Sequence, residues 1–436
     1  MTDPTHVVTA FLRHGGRILL LRRSDDVGTY RGQWGGVSGY AEGNPDEQVW
    51  IEIEEETGLS DTVDLVRRGR PVEFHDDDID REWVIHPYCF DCDKRTISLS
   101  DEHGEYEWVH APEIRRRETV PELWTAYERV TPAVRTIAAD DERGSAALSI
   151  RALEILRDQA AVVTDSEGTT ADATEELSRL AERLIEARPS MAALRNRIAR
   201  VMATADGPNA VESVAADAID RAVAADEQAA RLAAERIAGD RVLTLSRSGT
   251  VLTALQGGDR RSGATGPQNA KEGVWPASPN QVFVAESQPT REGIDIAETI
   301  GDRLAVTVHT DAAVGHVLAE KSVDAVVVGA DTVLPDGRVI NKTGTRTLAA
   351  VAAREDVPVL VITAADKVSF ETEVNREYGP GGDLYDGDVP IDVLNPTFDV
   401  TPSKLIDYVV TDRGVLDPAA VSSIANEHRA NADWSL

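Results

Sequence analysis

Hydrophobic and polar positions in the first hundred residues follow the short period of strands. Residues 6–13 and 17–22 are apolar, β-branched runs separated by His14-Gly15-Gly16, which predicts a hairpin. Residues 63–75 and 82–92 read as two further strands joined by the aspartate-rich turn 76–80, and 105–109 as a short one. Pro112 is placed to open a helix. Within this strand pattern lies one stretch of another kind. Gly35-Gly36-Val37-Ser38-Gly39 leads toward Ile51-Glu52-Ile53-Glu54-Glu55-Glu56-Thr57-Gly58-Leu59. Glu52, Glu55 and Glu56 stand at i, i+3 and i+4, so they share one helix face. Gly58 is the residue best suited to a left-handed cap there.

After Pro132 the period lengthens. Residues 133–140, 144–162, 174–186, 191–204 and 211–238 carry apolar positions at helical spacing, and their alanine stripes predict the core of a bundle. From Arg241 the pattern changes again. Short apolar runs at 242–245, 281–285, 305–308, 325–328 and 358–363 alternate with helices, which implies a parallel, doubly wound, Rossmann-like sheet. Such sheets take ligands at the carboxyl ends of their strands. Residues 257–279, rich in Gly, Ser and Pro, read as a surface loop. The chain is therefore α/β, with boundaries expected at 1–130, 131–240 and 241–436.

Charge narrows the function classes. The 436 residues hold 76 Asp and Glu against 45 Lys and Arg, a formal net charge of -31. A surface of this kind is solvated, and its lysine poverty suits high internal salt. It repels polyanions, so nucleic-acid binding is not expected. Cys89 and Cys92 stand alone as a Cys-x-x-Cys in a strand that turns them to opposite faces. No second pair completes a four-ligand zinc site. No uncharged apolar run approaches the ~20 residues of a membrane span, and the N-terminus lacks a basic region followed by an apolar one. A cytoplasmic protein is expected.

Three carboxylates on one helix face repel each other, and a divalent cation relieves that repulsion. Mg²⁺ is commonly shared between a few carboxylates and substrate phosphates. The stretch resembles the Nudix box, G-x5-E-x7-R-E-U-x-E-E-x-G-U with U a bulky aliphatic. Glu52, Ile53, Glu55, Glu56, Gly58 and Leu59 fall on that pattern. Ile51 takes the arginine position. Val37 and Gly43 occupy the expected Gly and Glu positions, with Gly36 and Glu42 one step earlier, as a one-residue loop insertion would give. The resemblance implies an α/β/α sandwich over residues 1–130. It also implies hydrolysis of a phosphoanhydride in a nucleoside diphosphate derivative, ADP-ribose being a candidate, with Mg²⁺ or Mn²⁺. Glu52, Glu55 and Glu56 would be catalytic and metal-binding, and Glu42 an accessory metal ligand.

A second constellation lies at strand ends of the C-terminal part. Ser246 and Ser248 follow the first strand and begin a helix, whose N-terminus suits an anion. Asp331 ends another strand, Asn341-Lys342-Thr343-Gly344-Thr345 adds a cation at a turn, and Lys367 follows the next strand. Upstream are Arg143-Gly144-Ser145-Ala146 and Arg188-Pro189-Ser190. Together, from about Pro132 onward, these resemble the family of translation initiation factor 2B alpha, beta and delta subunits. That family also includes ribose-1,5-bisphosphate isomerase and methylthioribose-1-phosphate isomerase. The resemblance implies a phosphosugar- or nucleotide-binding site made of Arg143, Gly144, Arg188, Ser246, Ser248, Asp331, Asn341, Lys342 and Lys367. It also implies a homodimer or larger assembly, with translation factors as further candidate partners.

Two departures bear on the chemistry. The isomerases' cysteine position is Ser246, and a hydroxyl is a poor proton carrier unless a base activates it. The family's Glu-x-Arg-Pro segment is Glu286-Ser287-Gln288-Pro289, so a cation is lost. The leading expectation is thus a Nudix hydrolase fused to a ligand-binding domain, ahead of two alternatives. One is a regulatory binding protein with a degenerate Nudix sensor. The other is a sugar-phosphate isomerase in which Ser246 or water replaces the thiol.

Overall fold

The computed structural model describes residues 4–25, 28–41, 43–140, 143–165, 168–237, 241–257, 278–374 and 376–434. These form two compact units: residues up to Thr136 with Glu154–Gly168, and Ile137–Leu153 with the described residues from Thr169 onward.

The first unit holds β1 (Thr5–His14), β2 (Arg17–Arg23), β3 (Trp34–Gly35), β4 (Val37–Tyr40), α1 (Pro45–Thr57), β5 (Val63–Arg68), β6 (Val72–Asp76), β7 (Arg81–Cys92), β8 (His103–Val109) and α2 (Leu123–Glu128). Its mixed sheet runs β3-β2-β1-β7-β5, with β4 on β1, β6 on β7 and β8 on β2. Alternation along the central strands builds two cores. Phe11, Ile18, Leu20, Ile85 and Cys89 face one side with α2 residues Leu123 and Ala126. Val8, Leu12, Leu19, Phe90 and Cys92 face the other with Val49 and Ile53 of α1. The two cysteines therefore point to opposite faces, as strand alternation predicts.

Two readings change in detail. The run 63–75 is two strands, not one, broken at Gly69-Arg70-Pro71. A Cβ at Gly69 would come within 2.7 Å of Pro87 and 2.8 Å of Arg129, so only glycine lets the chain turn there. Pro112 begins a short 3-10 turn, Ala111–Arg115, rather than an α-helix, and α2 follows later.

Helix α3 (Val134–Ala139) enters the second unit at Ile137, and α4 (Ser145–Thr164), α5 (Thr170–Ala187), α6 (Ala192–Thr204) and α7 (Pro208–Ala234) follow. Helix α4 contributes residues through Leu153 here and its remainder to the first unit. Ala-rich faces allow close helix approach: Ala215, Ala218 and Ala222 of α7 and Ala193 and Ala199 of α6 are all buried.

There follow β9 (Arg241–Leu245), α8 (Gly249–Gln256), β10 (Gln281–Ala285), α9 (Glu292–Gly301), β11 (Ala305–His309), α10 (Val314–Glu320), β12 (Ala325–Val328), β13 (Thr332–Val333), β14 (Val339–Lys342), α11 (Thr345–Arg354), β15 (Val359–Ile362), β16 (Phe398–Thr401), β17 (Tyr408–Thr411), β18 (Gly414–Leu416) and α12 (Pro418–Ala432). The larger sheet has the order β11-β10-β9-β12-β15-β17-β18 and is parallel except for its last pair. Its inner strands β9, β10, β12 and β15 are buried on both faces, which is why they read as apolar runs rich in Val, Ile and Leu, whereas the edge strand β11 is largely exposed. A small antiparallel sheet, β13-β14-β16, sits in the connection after β12. Neither this sheet nor β17 and β18 was expected from the pattern. The loop expected at 257–279 lies, apart from residues 257, 278 and 279, outside the described residues.

Strand order fixes where a ligand can enter. From β9 the chain moves to β10 and β11 on one side, then returns to place β12 on the other. The crevice between the carboxyl ends of β9 and β12 is therefore a topological switch point.

Candidate functional site

In the first unit, the sequence sets α1 in place at both ends. The Asn44 side chain accepts a hydrogen bond from Asp46 N at 3.1 Å, and Pro45 opens the first turn. Gly58, at φ 66°, closes the last turn by donating its N–H to Glu54 O. This fixes which residues of the acidic face meet β4. Ser38 N donates to Glu56 Oε2 at 3.1 Å. The Glu52 carboxylate lies over Gly39, where a Cβ would come within 2.0 Å of Oε1, and it accepts from Gln48 Nε2 at 2.7 Å. Glu55 is exposed on the same helix, as is Ile51 at the family's arginine position. Glu42 lies outside the described residues.

Burial raises the Glu56 carboxyl well above its ordinary range, the Ser38 N–H opposes this, and the charges of Glu52 and Glu102 add to it. His103 Nε2 stands 3.9 Å from Glu56 Oε1, but burial and the nearby Arg23 push the imidazole down to about 4, so it is neutral at pH 7. Glu102 and His103 were not picked out from the sequence, because nothing in their spacing ties them to the box. Among the described residues no three His, Cys, Asp or Glu side chains are gathered around a common metal position. The donor chemistry nonetheless fits a hard divalent cation. Two carboxylates of α1 meet β4, one of them buried at a cost that a cation would remove.

Two expected results follow from this geometry. Gly39→Ala drives the Glu52 carboxylate off β4 and lowers Mn²⁺ affinity about tenfold to a hundredfold, read by calorimetric titration. Glu56→Gln acts on stability. A carboxyl whose folded pKa is raised favours the folded state below its unfolded value, and that contribution is lost as pH rises. Without divalent ions the variant should therefore melt above the wild type at pH 7, and the gap should close near pH 4.

In the second unit, Ser246 and Asp331 stand at the ends of β9 and β12, which pair in parallel through Val242 with Ala325 and Leu243 with Val326. Ser246 is buried and holds the left-handed region at φ 58°, which turns the chain out of the sheet toward α8. Its Oγ donates to Glu292 Oε2 at 2.6 Å. Glu292 Oε1 in turn accepts from Lys342 Nζ at 2.7 Å and from Thr290 Oγ1 at 3.2 Å. Burial works to raise the Glu292 carboxyl, but the hydrogen bonds from Lys342 and Ser246 outweigh it and hold the group below its ordinary range. Its position in the first turn of α9 favours the charge further.

Asp331 behaves in the opposite sense. Burial pushes its carboxyl up, against the charges of Lys367 and Lys342 and a hydrogen bond from Ser145 Oγ at 3.3 Å. Lys367 Nζ is buried and donates to Ala330 O at 2.6 Å, which pins the backbone beside Asp331. Asn341 is spent on structure, donating Nδ2 to Thr345 Oγ1 at 2.9 Å. Ser248 caps α8 by accepting from Val251 N, and its Oγ would lie 2.7 Å from a Cβ at Gly329. That contact accounts for the glycine beside Asp331.

The upstream arginines meet at another point. Arg143 Nη1 pairs with Asp140 Oδ2 at 3.0 Å, while Arg188 donates to the carbonyls of Ile137 and Asp140. Gly144 precedes the first turn of α4, whose Ser145 reaches Asp331. A cavity lined by Pro189, Ser190, Asp331, Thr332, Ile340 and Phe398 opens beside the carboxylate. The predicted residues Ser246, Asp331, Lys342 and Lys367 thus share one strand-end region, with Arg143 and Arg188 behind Ser145. Glu292 was missed because a glutamate in a first helical turn reads as an ordinary dipole-compensating residue.

Residues 3–132 match the NUDIX domain, and residues 141–418 match the Initiation factor 2 subunit family. A ribose 1,5-bisphosphate isomerase from Haloterrigena turkmenica is 32% identical over 340 residues, covering 70% of this chain and 98% of the relative. A methylthioribose-1-phosphate isomerase from Exiguobacterium sibiricum is 29% identical over 353 residues, covering 76% of this chain and 94% of the relative. The crystal structure of translation initiation factor eIF-2B from Pyrococcus horikoshii OT3 superposes with a TM-score of 0.53 at 25% identity, over 65% of this chain and 94% of that one. The chain belongs to the Initiation factor 2 subunit family and carries a NUDIX domain ahead of the family's own region.

Proposed function

We propose that the second unit binds a phosphorylated pentose and moves a proton between its C1 and C2, as an aldose–ketose isomerase. The observation that carries this reading is Asp331. It is a half-buried carboxyl, raised from its ordinary range by burial, beside two lysines at a switch point of a doubly wound sheet. The similarity to relatives named as sugar-phosphate isomerases supports it. The loss of the cysteine weighs less than the sequence alone suggests, because Ser246 is not an isolated hydroxyl. The test is conversion of ribose 1,5-bisphosphate and of methylthioribose 1-phosphate in high salt, followed by ³¹P NMR. Conversion of either supports the reading and names the substrate. Binding without conversion leaves a ligand-sensing domain, and neither binding nor conversion removes the reading.

The first unit is, in this proposal, a hydrolase of a nucleoside diphosphate derivative, such as ADP-ribose. Glu52, Glu55 and Glu56 are the residues that would hold Mg²⁺ or Mn²⁺, and the turn of Glu52 and Glu56 toward β4 favours this. A bound divalent ion supplies polarisation of a phosphoryl oxygen and a more acidic water. The protein's part is to hold two carboxylates against a rigid strand and one at the helix surface. ADP-ribose turnover that disappears in Glu56→Gln supports hydrolysis; turnover that survives it places the chemistry elsewhere.

Assembly into a homodimer or larger is part of the same proposal. Tyr378, Leu384, Val389, Ile391 and Leu394 are large apolar side chains left exposed close together in sequence. Sedimentation at physiological and molar salt tests it, and a monomer at all concentrations removes it.

A further inference from the structure

We infer that Glu292 is the general base of the second unit, taking the place left by the absent thiol, with Ser246 as its positioning residue. This rests on the isomerase reading above. Four observations carry it. Ser246 Oγ directs its proton at Glu292, so the hydroxyl is a donor there and has no vacancy for a substrate proton unless it first passes on its own. The Glu292 carboxylate is reached by three donors from three segments: Ser246 after β9, Thr290 before α9, and Lys342 at the end of β14. A carboxylate held so is fixed in direction, which proton transfer requires. Glu292 and Lys342 are both about one-fifth exposed, so a ligand in the crevice can reach them. Finally, the charge of Lys342 acts on both carboxyl groups, lowering each.

Their surroundings push these carboxyl groups apart, one toward the protonated form and one toward the charged form. Two titratable groups separated in this way are suited to acid and base roles. The proton account closes with them. Glu292 removes the C2 proton and becomes a carboxylic acid. The C2–H electron pair becomes the C1–C2 double bond, and a pair moves from C1 onto the oxygen that C1 releases. That oxygen is the ring oxygen of the closed sugar, whose bond to C1 breaks while the phosphate stays on C1. Asp331 gives it a proton and becomes a carboxylate. In the second half, the C2 hydroxyl returns a proton to Asp331 as C2 becomes a carbonyl, and Glu292 returns its proton to C1. Both groups end as they began.

The contact with Lys342 adds a coupling. A phosphate that draws Lys342 away removes the cation holding the Glu292 carboxyl low, and the base strengthens when substrate is present.

The experiment compares wild type, Glu292→Gln, Glu292→Asp and Ser246→Ala on ribose 1,5-bisphosphate. It reads kcat, KM, the pH profile and exchange of the C2 proton with deuterated water. Glu292→Gln is expected to lower kcat and exchange together by about 10²–10⁴-fold, with KM changed by no more than about threefold, which also shows that the variant folds and binds. Glu292→Asp should recover part of the loss. Ser246→Ala should cost far less, about tenfold, and should move the acid limb of kcat/KM to higher pH, since the carboxylate loses a hydrogen bond that favours its charge. Glu292→Gln retaining more than a tenth of wild-type kcat overturns the assignment, and so does an acid limb unmoved in Ser246→Ala. Wild type that neither turns over nor exchanges overturns the isomerase reading, and this assignment with it. Wild-type activity distinguishes that failure from failure of Glu292 alone.

Discussion

Asp331→Asn is expected to lower isomerisation at least about a hundredfold while leaving affinity for a ribose phosphate within about threefold. The substitution keeps the shape and keeps an oxygen for the Ser145 hydroxyl, which donates at 3.3 Å. In the proposed isomerisation it removes what this residue supplies, a proton that can be given and taken back. Burial favours the protonated carboxyl, opposed by Lys367 and Lys342. The same bias has a stability consequence whose sign is the reverse of the usual carboxylate case. A raised folded pKa contributes stability below the unfolded value and loses it as pH rises. At pH 7 the asparagine variant should therefore unfold at a higher temperature than wild type, while being the poorer catalyst. A lower midpoint together with full activity would sink the assignment of Asp331. Paired calorimetry and turnover on one preparation decide it.

Asp366→Ala is the second large effect, and it concerns the frame. Asp366 follows β15 and is buried among cations. Arg197 Nε reaches its Oδ2 and Arg200 Nη2 its Oδ1, both at 2.8 Å. Arg197 is fully buried and also donates to Ser149 Oγ at 2.7 Å. Removing one partner of a buried pair leaves an uncompensated charge, at a cost of about 3–5 kcal/mol. For a unit of this size the melting midpoint should fall by on the order of 10 °C. Burial by itself would raise the Asp366 carboxyl, but Arg197 and Arg200 outweigh it and hold it below the ordinary range. Its stabilisation is therefore full above the unfolded value of about 3.9 and is lost as pH falls below it. Acid unfolding of the second unit should be cooperative in that window and blunted in the variant. A midpoint unchanged by the substitution would mean that the arginines find other partners.

The same cluster explains why the candidate site is assembled where it is. Arg197 belongs to α6, Ser149 to α4, and Asp366 to the turn that carries Lys367. Lys367 then holds the backbone beside Asp331, and Ser145 of α4 reaches that carboxyl. One buried guanidinium thus keeps three segments in register around a residue it does not touch.

Residues with strong local rules were legible in the sequence. Gly58 closes α1 in the left-handed conformation because a helix end needs it there, and the box carboxylates follow from that register. The inner parallel strands were visible because burial on both faces demands mostly Val, Ile and Leu. Shorter pieces were not. Tyr408–Thr411 is a four-residue strand of β-branched and aromatic residues whose signal the expectation above leaves out, and β13, β14 and β16 are short pieces held by their pairing. The helix assigned at Pro112 is a 3-10 turn because proline marks a first turn without specifying what continues it. Ser246 was read by residue type alone, as a weak substitute for a thiol. What stands against it is 46 positions further along the chain, and no local pattern connects the two.

The chain contains only six lysines, and two of them, Lys342 and Lys367, stand in the candidate site. Arginine does not acylate under conditions that modify amines, so such a reagent sees very few targets here. A peptide map after brief acylation can therefore follow each lysine separately. Lys367 is buried and should label slowly throughout. Lys342, held by Glu292 yet partly exposed, should label at an intermediate rate that falls when an anionic sugar occupies the crevice. The scarcity of lysine thus turns the site into its own reporter: occupancy can be read from one amine, with no probe attached and no catalysis required.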